Sequence, residues 1–186
     1  MKVRTRQACS WPILAVAVIS LMTAPGCSKS TDRSDTLACL TFPASSLPKN
    51  VTLAPWTGSD KLPWMTSNPF LSRDKHIISD LEADMPVQRG NVTEVYLAAY
   101  WVGKPNQSVV EISVTALRFS QPAVASRAAR AMQPQIDEDA KVEPHSAPTL
   151  LCRGRVLCIV GHTSAVDNDT WRAMLRLVEN ALAQVP

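Results

Sequence analysis

The feature of the sequence that most restricts the fold is a pair of long β-forming runs, at 93–103 and 108–119, joined through the turn-like segment GKPNQ. The second run alternates between apolar and polar side chains, which is the period of a strand with two different faces. Its apolar positions are Val110, Ile112, Val114 and Ala116, and its polar positions are Glu111, Ser113 and Thr115. The two runs predict a long antiparallel hairpin.

A second hairpin is predicted in TLLCRGRVLCIVG, which has Gly154 at its turn. The continuously apolar run at 156–160 is typical of a central strand. Three stretches predict helices: a short one after Ser72 or Asp74, one capped by Ser120 with Pro122 in its first turn, and one over about 170–184 capped by Asp167 or Asn168. The acidic, proline-flanked stretch QPQIDEDAKVEPHSAP is predicted to be a loop.

The order helix, strand, strand, helix, strand, strand, helix predicts an α+β fold: a two-layer antiparallel sheet with helices packed on one face. Residues 40–186 are predicted to form a single domain. Within it, residues 40–70 are rich in Pro, Ser, Thr and Trp and predict an extended strap with one short strand near 51–53.

The first residues of the chain have the pattern of an export signal. Lys2, Arg4 and Arg6 precede an apolar run over about 11–24, and the first acidic residue is Asp32. The run is too short for a permanent transmembrane helix, and its basic start is typical of a secretory signal peptide.

The end of this run, TAPGC, resembles the lipobox of bacterial lipoproteins. In that resemblance Ala24 and Gly26 occupy the −3 and −1 positions and Cys27 is the lipid acceptor. The family usually has Leu at −3, whereas here Leu21 lies further upstream. The resemblance covers residues 1–27 only and implies that residues 1–26 are removed and that Cys27 carries acyl chains such as palmitate. Residues 27–39 are then a flexible tether, and Ser28 at +2 is similar to the residue of lipoproteins sent to the outer membrane.

Charge excludes one class of partner. The full chain carries 19 basic and 16 acidic residues. Removal of the signal takes away three basic residues and no acidic one, so the mature chain is neutral. Because a nucleic-acid-binding domain normally keeps a basic face, nucleic acid is not expected as a partner.

Three cysteines remain after the signal and the lipid site: Cys39, Cys152 and Cys158. An exported protein meets an oxidising compartment, and three thiols allow at most one internal disulfide. A Cys152–Cys158 bond, a bond with Cys39 and reduced buried thiols all stay open, since a tight hairpin turn would not bring Cys152 and Cys158 directly opposite each other. The spacing of the cysteines and of the scattered histidines predicts neither a metal site nor a dithiol redox centre.

One stretch, GHTSAVDND, offers hydrolase chemistry, with Ser164 as nucleophile, His162 as base and Asp167 as the orienting acid. It lacks the Gly-x-Ser-x-Gly turn that exposes a nucleophile, and a role for Asp167 as a helix cap explains that residue more simply. No phosphate-binding loop or dinucleotide-binding turn occurs, and no cofactor is expected.

These patterns predict an envelope lipoprotein, on the periplasmic face of the outer membrane where the cell has one. Its domain is predicted to be non-catalytic and to bind an envelope protein or another envelope component. The alternative is a periplasmic hydrolase that uses His162, Ser164 and Asp167.

Overall fold

The computed structural model describes residues 36–55, 63–103 and 110–185. Within these ranges the chain forms six strands and three α-helices, together with 3₁₀ segments at Leu37–Leu40 and Ala44–Ser46. The strands are β1 (Val51–Leu53), β2 (Phe70–Ser72), β3 (Val92–Val102), β4 (Val110–Phe119), β5 (Thr149–Arg153) and β6 (Val156–His162). The helices are α1 (Lys75–Ala83), α2 (Pro122–Val142) and α3 (Asn168–Leu182).

The strands form one antiparallel sheet in the order β1-β3-β4-β6-β5, and β2 also pairs with β3. Both predicted hairpins are present, as β3–β4 and β5–β6. Gly154 lies in the two-residue turn between Arg153 and Val156, which pair with each other, and its φ of 53° favours glycine. The α+β class is therefore confirmed.

The sheet is covered by helices on both faces, and the expectation that all helices pack on one face is wrong. Along β6, Cys158 and Val160 belong to the core beneath α3, whereas Leu157 and Ile159 belong to the core beneath α1 and α2. Alternate residues of a strand point to opposite faces. Because β6 is apolar at both sets of positions, one layer of helices could not have removed it from water.

Helix α2 is longer than the sequence pattern predicted, because it includes most of the stretch expected to be a loop. Its buried stripe continues through Met132 to Ile136, so the second half of the helix still covers apolar surface. Side-chain hydrogen bonds such as that from Gln133 to Asp137 (2.8 Å) support the exposed face. Pro134 lies inside this helix.

The other two helices begin where the sequence predicted. Asp74 caps α1 and Asp167 caps α3, each by accepting hydrogen bonds from two backbone N–H groups of the first turn.

One outer edge of the sheet is shared by two short strands, β1 and β2, which lie end to end along β3. The side chain of Asn68 fills the gap between them. It donates to the carbonyl oxygens of Ala54 (2.7 Å) and Ala99 (2.8 Å) and accepts from the Ala99 N–H (3.0 Å). The amide side chain thus replaces the backbone pairing that the interrupted edge lacks.

The folded body includes residues that precede the predicted domain start at residue 40. Leu37 and Leu40 are completely buried in the core beneath α3. The segment predicted as a tether therefore enters the core no later than Leu37.

Candidate functional site

A buried carboxylate holds the N-terminal end of the described chain. Glu94, on β3, is 1% exposed, and its Oε2 accepts a hydrogen bond from the Leu37 N–H (2.9 Å). Its Oε1 accepts from Arg73 Nε (2.9 Å), and the Nη1 of buried Arg118 lies 4.0 Å from Oε2. Burying a carboxylate is costly unless hydrogen bonds and opposite charges compensate, and Glu94 has both. We call this group the Glu94 cluster.

The same segment is held by a second contact, which comes from a residue two positions further along β3. The Tyr96 hydroxyl donates to the Leu40 carbonyl (2.7 Å) and lies 3.5 Å from the Tyr100 hydroxyl. Burial is the main reason that the pKa of Tyr96 is raised far above its usual range, so this hydroxyl keeps its proton and remains a donor. Residues 37–40 are thus fixed at both ends.

The three cysteines of the described chain are free thiols. Cys152 pairs with Leu157 and Cys158 pairs with Leu151, so the side chains of Cys152 and Cys158 point to opposite faces of the sheet. Burial raises the pKa of Cys158 to about 12, whereas Cys152 is exposed. The structure does not bring these two thiols together.

The residues of the hydrolase alternative have other partners. His162 stacks on Trp171 with ring centroids 4.0 Å apart, and its Nδ1 lies 2.9 Å from the Thr163 carbonyl oxygen. Asp167 accepts from the N–H groups of Asp169 (3.1 Å) and Thr170 (2.9 Å), and the bonds from the start of α3 lower its pKa. In the part of the chain that the structure describes, no hydrogen bond joins Ser164 to His162. The three groups are not arranged for nucleophilic catalysis.

Another buried carboxylate, Glu82, has a local role. It accepts from the N–H groups of Gly90 (2.7 Å) and Val92 (3.0 Å) and so closes the loop between α1 and β3. Among the described residues, no group of three or more His, Cys, Asp or Glu could hold a metal ion. None of the described helices has the length and apolar character needed to cross a membrane.

The opposite end of the β3–β4 hairpin carries two side chains with polar groups, Trp101 and Glu111. Trp101 and Glu111 are directly opposite each other on the two strands. Among the described residues, the Trp101 indole nitrogen is buried and has no hydrogen-bond acceptor, whereas the Glu111 side chain is only half-buried. Burial raises the pKa of Glu111. This end of the sheet therefore differs sharply from the Glu94 cluster.

Comparison of the chain with protein-family models, curated proteins and solved structures finds no significant match. Arguments about function therefore depend on the residues themselves.

Sequence reasoning missed the Glu94 cluster, although a signal for it exists. Glu94 and Arg118 are charged residues inside otherwise apolar strands, and the hairpin places them opposite each other. Charges at paired strand positions favour a buried ion pair. The bond to Leu37 has no such signal, because 57 residues separate the two partners. Cys27, the predicted lipid site, lies outside the described residues.

Proposed function

We propose that this protein is a lipid-anchored lipoprotein of the bacterial cell envelope, whose mature domain is a non-catalytic binding or accessory module. The observation that carries the proposal is the basic, apolar start of the chain followed by TAPGC. A single acyl chain binds a bilayer only weakly, but two or three chains hold a soluble domain there stably, since each buried methylene contributes about 0.8 kcal/mol.

The distance between the lipid site and the domain supports this role. Ten residue steps separate Cys27 from Leu37, which give a reach of at most about 35 Å. The segment between them contains Ser, Lys, Thr, Asp and Arg, a composition suited to a tether. Because Glu94 bonds the Leu37 N–H, a pull on the tether would act on a fixed point of the sheet.

A binding role is favoured over catalysis by the arrangement of the reactive side chains. Asp167 serves as a helix cap and His162 stacks on an indole ring. Buried Glu94 and Glu82 both bond backbone N–H groups. These groups are used to hold the fold, which leaves the hydrolase alternative without an observation in its favour.

The anchoring proposal is tested by labelling the cells with a radioactive fatty acid and comparing the native chain with Cys27→Ala. The native protein should incorporate the label and fractionate with membranes, whereas Cys27→Ala should incorporate none. Cys152→Ala is the matched control, because it removes an exposed thiol of the domain and should keep the label. Label retained by Cys27→Ala, or absent from the native protein, would refute the proposal.

A further inference from the structure

Charged residues are distributed unevenly along helix α2. Its first half contains Arg127 and Arg130 and no acidic residue. Its second half contains three consecutive acidic residues, at 137–139, and one basic residue, Lys141. The dipole of a helix favours the reverse order, with acidic residues near the start and basic residues near the end. The helix dipole therefore does not explain this arrangement of charge.

Helix α2 runs along the sheet from the Glu94 end of the β3–β4 hairpin toward the Glu111 end. It begins directly after β4, which ends beside the start of β3. Near its start, Ser126 forms a hydrogen bond with Cys152 at the end of β5; this bond partly offsets the increase that burial causes in the pKa of Cys152. The basic half of α2 therefore lies at the Glu94 end, and the acidic half extends away from it.

The turn between β5 and β6 adds two arginines to the same end. Arg153 is the last residue of β5, and Arg155 directly precedes β6. The Arg155 carbonyl accepts a hydrogen bond from the N–H of Phe119, the last residue of β4 (2.8 Å). Because Arg153 follows Cys152 and Arg127 follows Ser126, the turn and the start of α2 place these arginines in neighbouring positions.

A fourth arginine lies in the loop between α1 and β3. Arg89 precedes Asn91 by two residues, and the Asn91 carbonyl accepts a hydrogen bond from the Ser120 N–H (2.9 Å). This bond joins the loop to the connection between β4 and α2. The fold thus gathers four arginines from three separate segments at one end of the sheet. We call them the basic end: Arg89, Arg127, Arg153 and Arg155.

The guanidinium groups of the basic end are available to an external anion. Three of the four side chains are exposed, and that of Arg155 is half-buried. Among the described residues, none of the four forms an ion pair with a carboxylate, whereas Arg73 at the same end pairs with Glu94 (2.9 Å). Several unpaired cations at one end of a domain produce a positive potential that attracts anions.

We propose that the basic end binds the anionic headgroups of the bilayer that holds the lipid anchor, so that the domain rests on the membrane by its Glu94 end. This inference deepens the proposed function and rests on it for the anchor. A guanidinium binds phosphate oxygens through two parallel hydrogen bonds, which suits phospholipid headgroups. Each basic residue close to an anionic membrane strengthens binding about fivefold.

The position of the tether favours a membrane over an acidic protein as the partner. The tether enters the core at Leu37, whose N–H bonds Glu94 at this same end. The reach from Cys27 to Leu37 is at most about 35 Å, so the anchor keeps the basic end close to the headgroups. Tethering raises their effective concentration, so weak contacts suffice. An anionic bilayer also repels the acidic half of α2, which favours the same orientation.

The test uses the exposed thiol of Cys152, next to Arg153, as a reporter of docking. The native acylated protein is placed in nanodiscs of phosphatidylcholine alone or with about one third phosphatidylglycerol. Mass spectrometry follows the rate at which N-ethylmaleimide alkylates Cys152. We expect alkylation about fivefold slower in the anionic nanodiscs, because the docked end excludes the reagent. About 0.5 M salt should restore the fast rate, because it screens the charges.

Paired variants identify the groups responsible. Arg127→Gln combined with Arg155→Gln should bring the rate in anionic nanodiscs close to that in neutral ones. Arg127→Lys combined with Arg155→Lys keeps the charges and should retain most of the protection, which separates lost binding from lost folding. The matched control is Arg172→Gln combined with Arg176→Gln, which removes two exposed positive charges from α3 and should leave the protection unchanged.

Three outcomes would overturn the proposal. The first is equal alkylation rates in neutral and anionic nanodiscs, and the second is protection that survives Arg127→Gln combined with Arg155→Gln. The third is protection by soluble polyglutamate in neutral nanodiscs and none by anionic lipid, which would assign the basic end to an acidic protein. Because every sample starts from acylated protein, these outcomes leave the Cys27 anchoring result unaffected.

Discussion

Two glutamates on the same hairpin have opposite environments. Glu94 is buried, accepts hydrogen bonds from a backbone N–H and a guanidinium, and lies 4.0 Å from a second guanidinium. Glu111, near the other end of the hairpin, is half-buried and accepts no hydrogen bond within the described residues. The comparison indicates that the Glu94 end stabilises the fold and docks the N-terminal segment. The Glu111 carboxylate, in contrast, makes no such contact with the described residues and is partly open to solvent.

The largest effect is expected for Glu94→Gln, which tests whether the Glu94 end of the hairpin stabilises the fold. The amide keeps the shape of the side chain but removes the charge that faces Arg73 and Arg118. Loss of one partner of a buried charged group is strongly destabilising, so we expect a decrease of about 3 kcal/mol in the free energy of unfolding. Urea unfolding followed by circular dichroism measures it. A decrease below the error of the measurement would show that Glu94 does not hold the fold.

The second largest effect is expected for Asn68→Ala, at the edge between the two ends. The variant loses three hydrogen bonds to Ala54 and Ala99, and we expect a decrease of about 2 kcal/mol. Amide hydrogen exchange gives a local readout, because the Ala99 N–H loses its acceptor and should exchange faster. Unchanged protection of Ala99 would mean that another group closes this edge.

A smaller effect is expected for Tyr96→Phe, which removes only the hydroxyl that bonds the Leu40 carbonyl. One hydrogen bond contributes about 1 kcal/mol, which lowers the melting temperature of a domain of this size by about 2–4 °C. Thermal unfolding by circular dichroism measures the change. Tyr100→Phe is a matched comparison, since among the described residues the hydrogen-bond partner of the Tyr100 hydroxyl is the Tyr96 hydroxyl alone, at 3.5 Å. A larger loss in Tyr100→Phe would contradict the role assigned to the Leu40 contact.

The smallest effect, and the one of opposite sign, is expected for Glu111→Gln. Partial burial disfavours the ionised carboxylate, so a neutral amide of the same shape should increase the free energy of unfolding at pH 7, by at most about 0.3 kcal/mol because solvent screens a half-exposed group. Urea unfolding measures it beside the exposed control Glu179→Gln on α3. A clear loss of stability would assign Glu111 a structural role like that of Glu94.

The sequence predicted much of the fold because the main signals are local. The two long β-forming runs located β3 and β4, the continuously apolar run located β6, and the Asp74 and Asp167 caps marked the starts of α1 and α3. The placement of helices on both faces was missed, although the continuously apolar β6 carried that information. The length of α2 was also missed, because Pro134 and the acidic residues resembled a loop while Met132 and Ile136 continued the buried stripe.

The candidate sites were harder to predict because they depend on contacts distant in sequence. Hairpin register alone places Trp101 opposite Glu111, but whether either group has a partner depends on how far the helices cover the sheet. The bond from Leu37 to Glu94 joins segments that share no pattern. The assignment of Cys27 as the lipid acceptor, in contrast, depends only on the local sequence around it. It stays a prediction.

The pH dependence of the stability difference between Glu111→Gln and the native protein tests the contrast between the two ends most directly. The pKa of Glu111 is raised in the folded protein above its ordinary value of 4.5, so the folded state binds the proton more tightly than the unfolded state. The penalty of the ionised carboxylate is absent below that value, develops as the pH rises through the folded pKa, and is complete above it. We therefore predict no pH-dependent advantage of Glu111→Gln below pH 4.5 and a constant advantage at neutral pH. A difference that does not change with pH, or that favours the native protein as the pH rises, would contradict the account.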